Sequence, residues 1–165
     1  MLSKTIEKAF NDQLNKEFYS SYLYLSMSAY AESKNFSGMA HFLKLKAQEE
    51  REHALKIFDY IIDRRGTILL KDIKANITKF KSILDLFEKS YEHECNVTKL
   101  INNLITLTGK EKDYCSKAFL HWFAIEQIEE EKTSLDIVEK LKIIKSDGPS
   151  LYMLDKDLKS SNNTK

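Results

Sequence analysis

The sequence contains very little glycine, proline and cysteine. Only four glycines and one proline occur in 165 residues, so long segments are free of the residues that interrupt helices. The two cysteines, Cys95 and Cys115, form no CxxC pair, which excludes a rubredoxin-type segment and a disulfide framework. Both are expected to be free, buried thiols of a cytoplasmic protein.

The sequence also lacks long apolar runs and a large net charge. No run of about 18 apolar residues occurs, and the first seven residues lack the apolar stretch of a secretory signal. Neither a membrane-spanning segment nor a membrane partner is therefore expected. The 26 Lys and Arg residues nearly balance the 25 Asp and Glu residues, so the net charge is too small to draw the chain to nucleic acid or to an anionic surface.

Four long segments rich in Leu, Lys, Glu and Ala fill most of the chain. Their periodicity predicts helices over 5–34, 38–65, 80–108 and 111–145. Each glycine lies where such a segment starts or stops, and glycine there is expected to relieve the backbone strain of leaving a helix.

The connections between these segments predict the topology. Short links make neighbouring helices antiparallel, whereas the long link from residue 67 to about 79 lets the second and third helices run parallel. The sequence therefore predicts one all-α domain over 1–165, with a four-helix bundle at 5–145 and one long crossover. A short C-terminal helix is predicted at 150–158 and a polar tail at 160–165.

Each predicted helix carries metal-ligand side chains inside its apolar stripe. In the first helix, steps of three and four residues lead from Phe10 and Leu14 to Glu17, which places Glu17 on the core-facing side. Buried carboxylates without partners are costly or become protonated, so several of them at one level indicate a cation between them. The six candidate ligands are Glu17, Glu50, His53, Glu94, Gln127 and Glu130.

The charges and donor atoms of this set favour two metal ions. Four glutamates would supply four negative charges, which two divalent ions would neutralise, while His53 and Gln127 are neutral. Oxygen donors with one imidazole suit iron or manganese better than zinc or copper(I). Single glutamates on two helices and spaced pairs on the other two form the layout of di-iron bundles, here with Gln-x-x-Glu in place of one Glu-x-x-His.

Other notable side chains have less specific interpretations. His41, His93 and His121 belong to no comparable set and are expected to be packing or surface residues. Trp122 is expected in the core. Two roles stay open for Tyr24: core packing with a satisfied hydroxyl, or hydrogen bonding to a ligand and electron donation.

These motifs resemble the bacterial non-haem ferritins over nearly the whole chain. The resemblance rests on the segments 17–22, 48–54, 123–130 and 151–158, together with Glu94.

The resemblance implies a ferroxidase centre inside each subunit. The first iron would be bound by Glu17, Glu50 and His53. The second would be bound by Glu50, Glu94 and Glu130, with Gln127 close by and Tyr24 beside the centre.

The resemblance also implies a third, inner-surface iron site. Its ligands would be Glu49, Glu126 and Glu129, with Glu130 shared. From the residues alone these side chains could equally form a solvated acidic face. In such ferritins Fe(II) is oxidised with dioxygen or hydrogen peroxide and is stored as a ferric mineral inside a hollow homo-oligomer of 24 subunits.

Three related families resemble the sequence less well. Bacterioferritins have histidine at the position of Glu130, glutamate at Gln127 and a haem-binding methionine at Arg51, so no haem is expected here. Rubrerythrins need a CxxC segment, and mini-ferritins place their ligands mainly on two helices.

Three hypotheses follow from the sequence. The first is an iron-storage ferroxidase that forms a cage. The second is a di-metal oxidoreductase of the same fold that acts on an organic substrate without a cage. The third is a helical interaction module whose interior acidic residues form only ion pairs.

Overall fold

A computed structural model of the chain describes residues 1–74, 79–145 and 147–160. It confirms the predicted all-α fold. Each helix boundary lies within three residues of its predicted position, and α5 extends two residues further at each end. The helices are α1 (Lys4–Ser33), α2 (Ser37–Asp63), α3 (Ile83–Lys110), α4 (Tyr114–Ile144) and α5 (Gly148–Ser160).

Two findings concern the end of the chain and the membrane. Ser160, predicted as the start of a polar tail, is the last residue of α5, and residues 161–165 of that tail lie outside the described part. Over the described ranges, none of the helices combines the length and the apolar character needed to cross a bilayer.

Three of the long helices have an N-cap residue whose side chain accepts a backbone hydrogen bond. Ser3 accepts from the Ile6 amide, and Ser82 accepts from the Asp85 amide at 3.1 Å. Asp113 accepts from the Ser116 amide. Such caps satisfy amides that have no partner within the first turn, and each contributes about 0.5–2 kcal/mol.

Helix α2 is capped differently, by a side chain of α5. Its N-cap residue Phe36 makes no side-chain cap. Instead the Asp155 carboxylate accepts hydrogen bonds from the amides of Gly38 at 3.1 Å and Met39 at 2.8 Å. A Cβ at Gly38 would lie only 1.8 Å from the Asp155 carbonyl oxygen. Glycine at position 38 therefore allows α5 to dock on the start of α2.

The expected role of glycine at helix ends is wrong. Left-handed backbone conformations after the four long helices occur at Asn35, Arg65, Lys112 and Lys145, and all four glycines, each of them described, have other conformations. Pro149 is the second residue of α5, within the first turn, where amides have no partner inside the helix and a missing one costs little.

Two asparagines of α1 hold the long connection between α2 and α3. The Asn11 amide group donates to the Thr67 carbonyl at 2.9 Å and its oxygen accepts from the Leu69 amide at 2.6 Å. Asn15 repeats the pattern with the Leu69 carbonyl at 2.8 Å and the Lys71 amide at 2.7 Å. The connection thus runs along α1 with side chains replacing the partner strand that its backbone lacks.

A polar layer divides the apolar core into two clusters. One cluster, which includes Phe10 and Ile57, lies towards the start of α1. The other, which includes Met27, Leu43 and Phe87, lies towards α5. Apolar side chains on both sides exclude water from the layer between them, where the candidate ligands lie.

Candidate metal centre

All six predicted ligands lie in the polar layer. Their exposed fractions range from 0% to 5%, although five of the six side chains are polar groups that normally stay at the surface. Each comes from the core-facing stripe of its helix, as the three-and-four spacing predicts. The six are Glu17 on α1, Glu50 and His53 on α2, Glu94 on α3, and Gln127 and Glu130 on α4.

Three of the ligands converge on one point. Glu17, Glu50 and His53 each offer a ligand atom, and these atoms lie within 4.8 Å of one another; within the described ranges this is the only such group. His53 Nδ1 lies 3.8 Å from Glu50 Oε2. The Gln13 amide, which the sequence interpretation missed, donates to Glu17 Oε1 at 2.7 Å and fixes that carboxylate.

Two carboxylate oxygens of this group are buried and have no hydrogen-bond partner among the described residues. They are Oε2 of Glu17 and Oε2 of Glu50. A buried oxygen without a partner costs about 1–3 kcal/mol, and more when it is charged. Two such atoms beside an imidazole form a donor set that fits a divalent cation.

The Glu94 carboxylate is held by side chains of α1 and α4. Its Oε1 accepts a very short hydrogen bond from the Tyr24 hydroxyl, and its Oε2 accepts from Gln127 Nε2 at 3.2 Å. The Tyr24 hydroxyl also lies 3.2 Å from Ser90 Oγ. The buried ring of Tyr24 and its paired hydroxyl fit both roles left open for this residue, and Ser90 is a further partner whose position in the apolar stripe of α3 gave no sign of this contact.

Glu130 is paired with a buried lysine. The ammonium group of Lys46 contacts both carboxylate oxygens of Glu130 at short distance and Glu49 Oε2 at 3.0 Å. Lys46 is 9% exposed. The spacing of α2 places Lys46 in the apolar stripe but indicates no role for it, because its partner Glu130 lies on another helix.

Burial raises the proton affinity of the carboxylates. Desolvation raises the pKa of Glu17 to about 7, and the charge of Glu94 adds to the increase, while contacts with Glu50 and Gln13 oppose it. Desolvation and then the charge of Glu17 raise the pKa of Glu50 well above its ordinary value. Desolvation also raises the pKa of Glu130 to about 7, against the lowering effect of Lys46.

The pKa values of Lys46 and His53 shift in opposite directions. Burial by itself lowers the pKa of Lys46, but the charges of Glu130 and Glu49 outweigh burial and raise it above its ordinary value. Burial lowers the pKa of His53 to about 4. Lys46 is therefore a cation and His53 a neutral nitrogen donor near neutral pH.

Two aromatic rings of α4 pack against His53. The ring centroids of Trp122 and Phe123 lie 5.4 and 5.9 Å from that of His53. The prediction that Trp122 lies in the core is wrong: 37% of it is exposed, and the Lys56 ammonium lies 4.2 Å from the ring centroid.

The three residues proposed for a third site line a cavity between α2 and α4. The cavity has a volume of about 470 Å³, and Glu130 and Lys46 also border it. Glu49 and Glu126 are half-buried, whereas Glu129 is exposed. Their carboxylates share this cavity without the close convergence seen for Glu17, Glu50 and His53.

The remaining expectations concern His93 and the two cysteines. His93 is a packing residue, as predicted: its Nε2 lies 2.8 Å from Ser20 Oγ, and its ring meets Tyr24 edge-on. Both cysteines are free, but Cys95 is half-buried and Cys115 is exposed, so the prediction that both are buried is wrong.

Comparisons with known proteins agree with this geometry. The family model described as "Ferritin-like domain" matches residues 7–144. The chain is 43% identical over 158 residues to a probable bacterial non-heme ferritin-like protein of Haemophilus influenzae, covering 96% of each chain. It is 42% identical over 160 residues to the bacterial non-heme ferritin of Campylobacter jejuni, covering 97% of this chain and 96% of that one.

Solved structures show the same relationship. The chain is similar to the open pore ferritin of the archaeon Archaeoglobus fulgidus, with a TM-score of 0.96 and 42% identity, over 97% of this chain and 99% of that one. The likeness to a humanized archaeal ferritin has a TM-score of 0.96 and 44% identity, over 97% and 98% of the two chains. The chain belongs to the ferritin family and groups with its bacterial non-haem members.

Proposed function

We propose that this ferritin oxidises Fe(II) at the buried centre and stores the product as a ferric mineral inside a protein cage. The observation that supports this most directly is the convergence of Glu17, Glu50 and His53, with two partnerless carboxylate oxygens, in a layer enclosed by apolar side chains. A bound cation would give both oxygens a partner and offset the free-energy cost of their burial.

The first Fe(II) ion is bound by Glu17, Glu50 and His53. Glu50 lies between this position and the second, where Glu94 and Glu130 supply the carboxylates and Gln127 lies alongside. Four carboxylates neutralise two divalent ions, so the loaded layer carries little net charge despite its burial. The protein contributes proximity and charge compensation, while the redox chemistry belongs to the iron.

The electron balance requires a separate oxidant. Two Fe(II) ions release two electrons, which reduce dioxygen with two protons to hydrogen peroxide, or reduce hydrogen peroxide with two protons to water. Tyr24, through its hydrogen bond to Glu94, orients a ligand of the second position and lies close enough to the centre to exchange an electron with it.

The cavity beside the centre supports a third iron position. Glu49, Glu126 and Glu129 face it from α2 and α4, and Glu130 borders both this cavity and the centre. Carboxylate oxygens without imidazole suit a hard cation. Glu130 would link the two positions, so that oxidised iron can leave the centre towards the inner surface.

The assembly and location follow from the family. We infer a homo-oligomeric cage of 24 subunits in the cytoplasm, with no haem, since Arg51 stands where bacterioferritins have a methionine. The assembly is tested by sedimentation of the purified protein before and after aerobic addition of Fe(II). Cage-sized particles that gain mass as ferric mineral are expected. A dimer as the largest species would instead support the di-metal oxidoreductase without a cage.

Cation binding to the first position is expected to release protons at about pH 6, because Glu17 is largely protonated there. With a pKa of about 7, Glu17 must lose its proton before it binds a cation, and Glu50 adds to this effect. Affinity for Co(II) should therefore increase about tenfold between about pH 6 and pH 8. His53, with a pKa of about 4, is already neutral and contributes no proton.

Calorimetric titration in buffers with different ionisation enthalpies measures this proton release. Glu32→Gln is the matched control, because it makes the same change at an exposed position of α1 and should leave both the affinity and the proton release as in the wild type. Equal affinity and no proton release at both pH values would contradict the pKa increase assigned to Glu17.

A further inference from the structure

Lys46 is a cation built into the metal centre itself. It lies one helical turn before Glu50 on α2 and therefore faces the same layer. Lysine is seldom buried, and a buried ammonium group needs charged partners. Here the partners are Glu130 and Glu49, one carboxylate from the centre and one from the cavity beside it.

The Lys46 ammonium group occupies the carboxylate oxygens of Glu130 that a metal ion would need. It contacts both oxygens of that carboxylate, whereas the oxygens of Glu17 and Glu50 at the first position remain partly without partners. A divalent ion that needs Glu130 must break a buried ion pair. An ion that needs only Glu17, Glu50 and His53 breaks no ion pair.

We propose that Lys46 competes with the second iron ion for Glu130, so that the centre loads in order. The first position fills without displacing a protein charge, and the second fills only when the ammonium group leaves Glu130. This inference rests on the proposed function, because it takes Glu130 to be a ligand of the second ion. It assigns to this chain a residue that sets the affinity of that position.

Once displaced, the Lys46 ammonium group can move into the adjacent cavity. Lys46 borders the cavity of about 470 Å³ whose walls also carry Glu49, Glu126 and Glu129, and it already lies 3.0 Å from Glu49. A rotation of its flexible stem can keep that contact while it releases Glu130. The charge therefore stays paired during displacement, which makes the exchange reversible.

Anaerobic titration of the metal-stripped, assembled protein with Co(II) tests the proposal. The visible spectrum and calorimetry follow the ions bound per chain without oxidation. In the wild type we expect one tight ion and a second, weaker ion. Lys46→Gln removes the competing charge and should tighten the second ion by at least about tenfold, with the first ion changed less than about twofold. Lys44→Gln, at an exposed position on the same helix, should change neither.

A second variant keeps the test decisive if Lys46→Gln fails to fold. Arginine binds a carboxylate through two parallel hydrogen bonds and holds it more firmly than lysine. Lys46→Arg should therefore weaken the second ion by about tenfold. Opposite shifts in the two variants would support competition at Glu130. Second-ion affinity that stays unchanged in Lys46→Gln, or in Lys46→Arg if that variant alone folds, would overturn it.

The same titration separates this inference from the proposed function. If Glu17→Gln binds Co(II) as the wild type does, the first position is misassigned and both proposals fail. If Glu17→Gln loses the first ion but the lysine variants leave the second unchanged, only the competition by Lys46 fails.

Discussion

Replacing Glu50 by glutamine is expected to slow aerobic Fe(II) oxidation by at least about 100-fold. Loss of a residue that only supports a metal ligand costs about 10–100-fold, and Glu50 is itself a proposed ligand of both ions. Its carboxylate lies beside Glu17 and His53 with one oxygen unpartnered. The new side-chain amide would keep the volume but remove the bridging charge. Stopped-flow absorbance of the ferric product measures the initial rate.

Two measurements separate lost chemistry from lost folding. The metal-stripped Glu50→Gln protein should unfold at a temperature no lower than that of the wild type, because the substitution removes a buried acid that the charges of Glu17 and Glu94 disfavour. Asp59→Asn, at an exposed position on the same helix, should oxidise Fe(II) at the wild-type rate. A Glu50→Gln rate within about twofold of the wild type would show that the centre is misassigned.

Replacing Gly38 by alanine is expected to displace α5. The new Cβ would lie 1.8 Å from the Asp155 carbonyl oxygen and 2.7 Å from its carbon, and both atoms belong to the backbone and cannot rotate away. The Asp155 bonds that cap α2 should weaken with it. Overpacking of this kind costs about 1–3 kcal/mol. The thermal midpoint should fall, and limited proteolysis should cut near α5 sooner than in the wild type.

Gly109→Ala is the matched control for this substitution. Gly109 lies in the last turn of α3, and no atom of the described residues lies within 4 Å of a Cβ added there. Alanine favours a helix over glycine by up to about 1 kcal/mol, so this variant should be as stable as the wild type or more stable. Equal stability of Gly38→Ala and Gly109→Ala would contradict the docking of α5 through Gly38.

The positions of the ligands on their helices could be predicted from the sequence. An apolar stripe with steps of three and four residues has one core-facing side, so Glu17 and Glu94 had to lie inside the bundle once their helices formed. The same spacing also places Lys46 on the core-facing side of α2. It could not identify the partner of Lys46, because contacts between helices depend on rotation and axial offset that no local pattern specifies.

The features that sequence reasoning missed are contacts between distant segments. Asp155 caps α2 from a position 117 residues away from Gly38. Asn11 and Asn15 hold the crossover about 56 residues away from them. Asparagine in a helix carries no signal that its side chain pairs with a passing backbone. Trp122 was misplaced for a related reason: a ring can pack against His53 and still leave 37% of its surface exposed.

The position of iron in the protein tests the central claim most directly. Crystals grown without metal, soaked anaerobically with Fe(II) and measured at the iron absorption edge would locate each ion by anomalous scattering. We expect one anomalous peak among Glu17, Glu50 and His53 and a second among Glu50, Glu94 and Glu130. The Lys46 ammonium group should have moved off Glu130. Iron absent from the polar layer, or bound there only by other residues, would contradict the central claim.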